Sequence, residues 1–296
     1  MPCCVSASRF SPVGTMTMIP SIFSMPKFSN KYRQFIEHQT ANDQSFGFSL
    51  ERLEQIEPLL SFLYEEWWKV SIDHLDRLPK NGPALIVGNS AGIVPWPALM
   101  LLYALMSHKP SPRRITILAD MDWVQEEYLR KALMEIGFVP WSSENMKALF
   151  EAKQLVAVFP EGVPGMNRPF AERYRLRDFD WTRLLPAVEE GINIYPMSTL
   201  GCDEAIPNLF PMEGFKQLLK LPSFNVTPFF PWLPFPLNFA SFPVRWTIGI
   251  GKPTVYKPVA NRDDLEDLAK QQTRIVQGEI QSELNRLLRR RTKSYI

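Results

Sequence analysis

From Phe46 to Val70 the apolar positions Leu50, Leu53, Ile56, Leu59, Leu60, Leu63 and Trp67 recur at helical spacing, with Glu51, Glu54, Glu57, Glu65 and Glu66 between them. This pattern predicts an amphipathic helix across 46–70. The texture then changes. Ala84-Leu85-Ile86-Val87-Gly88 is an unbroken apolar run, Asn89-Ser90-Ala91-Gly92 is turn-forming, and Pro95 and Pro97 lead into the apolar stretch Ala98 to Leu105. A buried strand, a tight turn and a helix with proline in its first turn are the expected elements.

Further apolar runs at Ile115–Ala119, Leu155–Phe159, Ile192–Met197 and Val244–Ile250 read as strands, and Asp122 to Glu135 reads as a helix stopped by Gly137. Asp120 and Asp122 stand at a strand end, where one of them is expected to cap that helix. The spacing of Leu265, Leu268, Ile275, Val276, Ile280, Leu284, Leu287 and Leu288 predicts one long helix from Asp263 to Arg291. Alternating strands and helices predict an α/β fold: a single domain over 71–260 with a mainly parallel central sheet flanked by helices, and amphipathic helices before it and over 261–296.

Charge and cysteine usage narrow the function classes. The 296 residues carry 33 Lys+Arg against 31 Asp+Glu, a balance that argues against bulk nucleic-acid binding. Three cysteines, Cys3, Cys4 and Cys202, cannot build a disulfide framework, and three histidines give no metal-ligand spacing, so no metal is expected. Cys202 is expected to pack rather than react. Uncharged stretches run from Lys80 to Lys109 and from Leu221 to Val244, but glycines and prolines interrupt both, which excludes continuous membrane-spanning helices. Residues 1–36 hold no acidic residue and four basic ones, a composition that fits a targeting peptide, a disordered tail or an over-extended start.

Two patterns meet at the turn after the first long strand. Gly88-x-Ser90-x-Gly92 matches a nucleophile elbow, but no histidine follows His108 to serve as its late base. The other is a set of blocks in order between Trp67 and Pro258: LPKNGPALIVGNSAG, LVAVFPEGVPG with ERYRLRDF, INIYPMSTLGCDEAIP and FPVRWTIGIGKP. Together these resemble the glycerolipid acyltransferases, in the branch near lysophospholipid and diacylglycerol acyltransferases.

The resemblance implies a histidine base after the motif asparagine and an aspartate a few residues on to orient it. Here Asn89 is followed by Ser90, and Pro95 and Pro97 stand at the aspartate positions. It implies that Glu161, in Pro160-Glu161-Gly162, helps hold the acceptor's polar head, and that a nearby cation meets its phosphate. Val163 and Pro164 replace the Thr-Arg found in many members, and Arg168 lies where one branch has its lysine. Arg173, Arg175 and Arg177 alternate, which on an extended chain puts them on one face as a candidate anion site. The candidate site is therefore Ser90 and Glu161 for chemistry, with Asn89, Phe159, Pro160, Gly162, Arg168 and Arg173 for substrate binding.

A serine hydroxyl cannot act as an imidazole base at neutral pH, and general-base catalysis is worth about 10² to 10⁴ in rate. The leading expectation is an impaired or inactive acyltransferase relative that binds a lipid or acyl chain. Rival readings are an active enzyme drawing a base from His74 or His108, or using Ser90 as an acylated nucleophile, and a structural subunit with a protein partner. No cofactor is expected; acyl-CoA or acyl carrier protein is the implied co-substrate. The expected place is a membrane periphery on the cytoplasmic side, or a plastid or mitochondrion if residues 1–36 are a transit peptide. The aromatics Phe229, Phe230, Trp232, Phe235 and Phe239, set among prolines, are expected either to plug the domain or to wedge into lipid headgroups.

Overall fold

The computed structural model describes residues 46–92, 94–107, 113–122, 124, 126–211, 225–226, 228, 241–254, 256 and 261–291. The expectations for residues 1–36, for Cys3 and Cys4, for His108 and for the aromatics between Phe229 and Phe239 lie outside them. Among the described residues no helix is long and apolar enough to cross a membrane.

Among the described residues the strands are β1 (Ser71–Asp73), β2 (Ala84–Gly88), β3 (Ile115–Ala119), β4 (Phe138–Pro140), β5 (Leu155–Val158), β6 (Ile194–Leu200), β7 (Phe210–Pro211), β8 (Asn225–Val226) and β9 (Thr247–Ile250). Seven form one sheet in the order β1-β9-β6-β2-β5-β3-β4, and β7 pairs with β8 separately. From β6 to β4 every pairing is parallel, while β9 runs antiparallel to β6 and parallel to β1. The sheet is thus mainly parallel, the expected α/β class. The unbroken apolar run of β2 follows from burial on both faces. Leu85 and Val87 enter one core while Ala84 and Ile86 enter the other.

One face carries α1 (Leu50–Ser61), α2 (Trp96–Ser107) and α3 (Glu127–Glu135). Ser49 caps α1 by accepting the Arg52 N–H at 3.3 Å, and the chain continues as a π-helical turn over Phe62–Trp67. That turn delivers Trp68 into the core, where its ring stacks on Trp246 at 4.2 Å and meets Trp96 edge-on at 5.4 Å. Tyr64 packs against Tyr103. Tyr64 and Trp68 are therefore core residues that dock the amphipathic helix. Helix α2 is buried from Pro97 to Met106 and fills the space between α1 and the sheet.

The opposite face carries α4 (Ser143–Glu151), α6 (Leu185–Glu189) and α8 (Arg262–Arg290), with the short helices α5 (Gly162–Met166) and α7 (Cys202–Ala205) at strand ends. Val276, Ile280 and Leu284 of α8 are fully buried, and its boundaries fall within one residue of those read from the leucine spacing. Three expectations need correction. The helix after β3 starts at Glu127, not Asp122, and its N-cap is Glu126 without a side-chain cap bond. Asp120 is not the cap of that helix; its carboxylate pairs with Arg183. Gly137 does end α3, but it leads directly into β4 and then α4, a strand and a helix absent from the apolar pattern because β4 spans only three residues.

Candidate functional site

The parallel strands end at one edge of the sheet, where an α/β fold positions its ligand-contacting loops. At the end of β2, Gly88 is required by close approach: a Cβ there would lie 2.7 Å from Met197 Cε and 2.9 Å from Phe159 Cε1. The next residue, Asn89, pins this end to β6. Its side-chain amide donates to the Thr199 carbonyl at 3.0 Å, and its oxygen accepts the Thr199 N–H at 2.7 Å. Asn89 is completely buried, so its job is to fix the turn. An Asn89→Ala change leaves the Thr199 amide group without its partner and is expected to cost about 1–3 kcal/mol, read as a lower urea midpoint at unchanged slope.

Ser90 follows, 4% exposed. Its N–H donates to Glu161 Oε1 at 3.2 Å, and among the described residues its hydroxyl has no hydrogen-bond partner. Gly165 packs directly on it, since a Cβ there would come 2.6 Å from Glu161 Cβ and 3.2 Å from Ser90 Oγ. Gly165 closes the block LVAVFPEGVPG, but its close approach to Glu161 and Ser90 is a tertiary requirement that the motif does not state.

Behind the turn lies a buried ionic cluster. Glu161, at the end of β5, and Asp203, in α7 at the end of β6, both meet Arg168. The guanidinium donates to Glu161 Oε2, to both Asp203 oxygens at 3.1 and 3.0 Å, and to the Ser90 carbonyl at 3.4 Å. The carboxylates also order the following loop: Glu161 accepts the Arg177 N–H at 2.9 Å and Asp203 the Tyr174 N–H at 2.7 Å. Burial pushes the Glu161 carboxyl upward, opposed by Arg168 and by the backbone N–H groups of Arg177 and Ser90. Burial works against the Arg168 charge, but Asp203 and Glu161 outweigh it and raise its pKa. Burial, reinforced by Asp203, also pushes the Cys202 thiol well up, which suits packing and not nucleophilic attack.

This arrangement corrects two expectations. Arg168 is 4% exposed and its charge is consumed inside the protein, so it is not a cation presented to substrate phosphate. The three alternating arginines do not share a face either, because Tyr174 adopts φ 62° and breaks the extended run. Arg173 turns to Glu204 at 3.7 Å and lies over Phe170, Arg177 pairs with Glu172, and Arg175 is exposed. Helix α8 holds this loop: Gln281 Nε2 donates to the Tyr174 carbonyl and its oxygen accepts the Leu176 N–H.

In front of the turn, at the carboxyl ends of β2, β3 and β5, is a cavity of about 90 Å³. Ser90, Pro95, Phe159 and Gly162 line it together with apolar residues such as Leu118 and Met166. Asn89, Pro160 and Arg168 stand behind it, and Arg173 is outside. Its charged lining groups are Asp120 and Arg183, joined through Arg183 Nη2 to both Asp120 oxygens at 2.9 and 3.0 Å. Sequence reasoning noticed Asp120 but not Arg183, which is 63 positions away in the chain.

No described imidazole reaches this turn. His74 follows β1, which β9 and β6 separate from β2, three strand spacings or about 14 Å. Among the described residues no group of His, Cys, Asp and Glu has the form of a metal site.

Residues 69–199 match the family model described as Acyltransferase. An uncharacterized protein of Mycobacterium tuberculosis is 31% identical over 235 residues, 79% of this chain and 65% of the relative. Another from Mycobacterium leprae is 34% identical over 240 residues, 79% of this chain and 64% of the relative. The chain thus spans just under two thirds of the length of these relatives. The crystal structure of the 1-acyl-sn-glycerophosphate (LPA) acyltransferase PlsC from Thermotoga maritima is similar at 14% identity and a TM-score of 0.48, covering 88% of this chain and 90% of that one.

Proposed function

We propose that the chain is a member of the acyltransferase family, whose model matches residues 69–199, and that it holds an acyl chain or lipid of glycerolipid metabolism at a site whose ordinary transfer chemistry is lost or greatly slowed. One observation carries this reading: at the turn where the family places its base, Ser90 faces an apolar cavity with a hydroxyl that no described imidazole or carboxylate activates. Without a base, an acceptor alcohol must lose its proton to water, forfeiting about 10² to 10⁴ in rate. The cavity is apolar along most of its lining, which favours hydrocarbon. We place the protein at a membrane periphery, where such ligands reside.

The test uses purified full-length protein, a radiolabelled acyl thioester and a lipid alcohol. Expected are bound lipid and transfer close to the uncatalysed background. Because Ser90 Oγ makes no hydrogen bond to a described residue, Ser90→Ala removes none and provides a folded control. Turnover in the parent that disappears in Ser90→Ala, or an acyl ester found on Ser90 by mass spectrometry, overturns the proposal in favour of a serine-dependent enzyme.

A further inference from the structure

A larger groove lies toward the sheet edge opposite the Ser90 turn. Pro196 stands near the start of β6, and Gly251 and Lys252 run off the end of β9, which is antiparallel to β6. With Arg77, which follows β1, and with one side of α8 they bound a space of about 710 Å³ that shares no lining residue with the cavity at Ser90. That volume is in the range of small-molecule sites, roughly 300–1,000 Å³. We infer that this groove binds a soluble small molecule bearing a phosphate or diphosphate group.

Every ionisable lining group enters the charge balance. Arg77, Lys252, Arg274 and Arg286 are cationic, Glu279 and Glu283 anionic, and His74 is counted neutral. The balance is +2, or +1 once Asp73 is added, which stands outside the lining but acts on Arg286 through its charge. Pairing sharpens this surplus. Arg286 is spent on Glu283, to which its Nε donates at 2.6 Å and its Nη2 makes a second bond. Glu279 is shifted upward by burial alone, so no cation of the groove pairs with it closely. Lys252 and Arg274 make no hydrogen bond or ion pair with a described residue. Arg77 donates from Nη1 to the Ile250 carbonyl at 2.6 Å, which fixes the guanidinium against β9 and leaves its charge in place. Three elements thus bring three cations to one groove ahead of any carboxylate partner, and charge-assisted bonds from such groups are what phosphate oxygens require.

Two local choices leave the groove open and armed. Gly278 lines it from the interior of α8, where glycine is a poor helix former, and a Cβ there would meet nothing within 4 Å. Packing within the protein therefore does not demand this glycine; what it provides is clear space along the helix wall. His74 takes φ 64°, a left-handed conformation uncommon outside glycine, and makes no side-chain cap bond. The reversal turns the chain after β1 into the short helical turn Leu75–Arg77 and returns Arg77 over β9. Most lining residues are polar or charged, and a space recessed between helix and sheet admits a free anion, which the flat face of a bilayer cannot enter.

The experiment titrates inorganic pyrophosphate into full-length protein by calorimetry at one ionic strength. Expected is saturable binding that Arg274→Gln and Lys252→Gln each weaken about tenfold, the loss of one charge-assisted contact. Lys131→Gln, which removes an equal charge from exposed α3 on the other face, is expected to leave binding unchanged. Gly278→Leu fills the groove while improving α8 as a helix, so it is expected to weaken binding as far with a urea midpoint no lower than the parent's. No pyrophosphate binding, an equal loss in Lys131→Gln, or full affinity in Gly278→Leu overturns the inference. Capture by phosphatidylcholine vesicles only when they contain phosphatidic acid, without pyrophosphate binding, also overturns it and assigns the cations to a membrane surface. None of these outcomes depends on whether the cavity at Ser90 holds lipid.

Discussion

Replacing Arg168 by Met is expected to remove about 3–5 kcal/mol of folding stability, measured as a fall in the urea midpoint. The volume change is small, so the loss does not come from a cavity. It comes from Glu161 and Asp203, which are 2% and 7% exposed and lose their shared cation together. One buried charge without its partner costs several kcal/mol, and here two carboxylates are left with backbone N–H groups as their remaining support. Apolar replacement of all three residues is expected to recover much of the loss, since well-packed hydrophobic side chains often match a buried ionic cluster in stability.

The same variant has a pH signature whose sign is fixed. Burial raises the Glu161 carboxyl above its ordinary value, and Arg168 is the foremost group pulling it down. Without Arg168 the folded-state pKa moves further up. A carboxyl whose folded pKa exceeds its unfolded one penalises the native state above the folded pKa, because the charge is then buried. As pH falls through that value the native form takes up the proton first and the penalty is relieved. The deficit of Arg168→Met relative to the parent is therefore expected to shrink as pH falls from 8 toward 5 in urea titrations. A deficit independent of pH would mean that Glu161 does not carry the uncompensated charge.

The long-range frame was legible because its causes are local. Gly88, Asn89 and the prolines after Ser90 announce a strand, a turn and a helix within one stretch, and the leucine repeat of α8 marks its length to within a residue. The identities of Ser90, Pro95 and Pro97 similarly exposed the missing imidazole and carboxylate without any structure. The roles of the arginines were not legible. Alternation at positions 173, 175 and 177 implies one face only if the backbone is extended, and a single left-handed residue at Tyr174 removes that premise. Arg168 looks like a ligand cation until Asp203, 35 residues later, is folded against it. Arg183 and Asp120 belong to different loops for the same reason. Charge pairing across the sheet edge is a tertiary property, and one-dimensional spacing carries no record of it.

Restoring the missing pair tests the chemical premise from the other side. The double change Ser90→His with Pro95→Asp is expected to raise acyl transfer from a thioester donor to a lipid alcohol by about 10² to 10⁴, the range that a positioned general base supplies. Both positions line the same cavity. Pro95 also sits where its carbonyl accepts the Ala98 and Leu99 N–H groups at 3.0 and 3.3 Å, the position immediately before α2 where aspartate is a favoured helix cap. The turn is already held for the base by the bond from the Ser90 N–H to Glu161, which does not involve the Ser90 side chain. Ser90→His alone is expected to give a smaller gain, because an imidazole without a carboxylate behind it is not fixed in the productive tautomer. The gain in the double variant should titrate, rising with pH through the ordinary histidine range near about 6.5 as the imidazole becomes able to accept a proton. Steady-state kcat/KM against pH for the parent, the single and the double variant checks all three points. A folded double variant that binds lipid but transfers no faster than the parent would place the impairment in the fixed Glu161–Arg168–Asp203 cluster behind the turn instead of in the lost base.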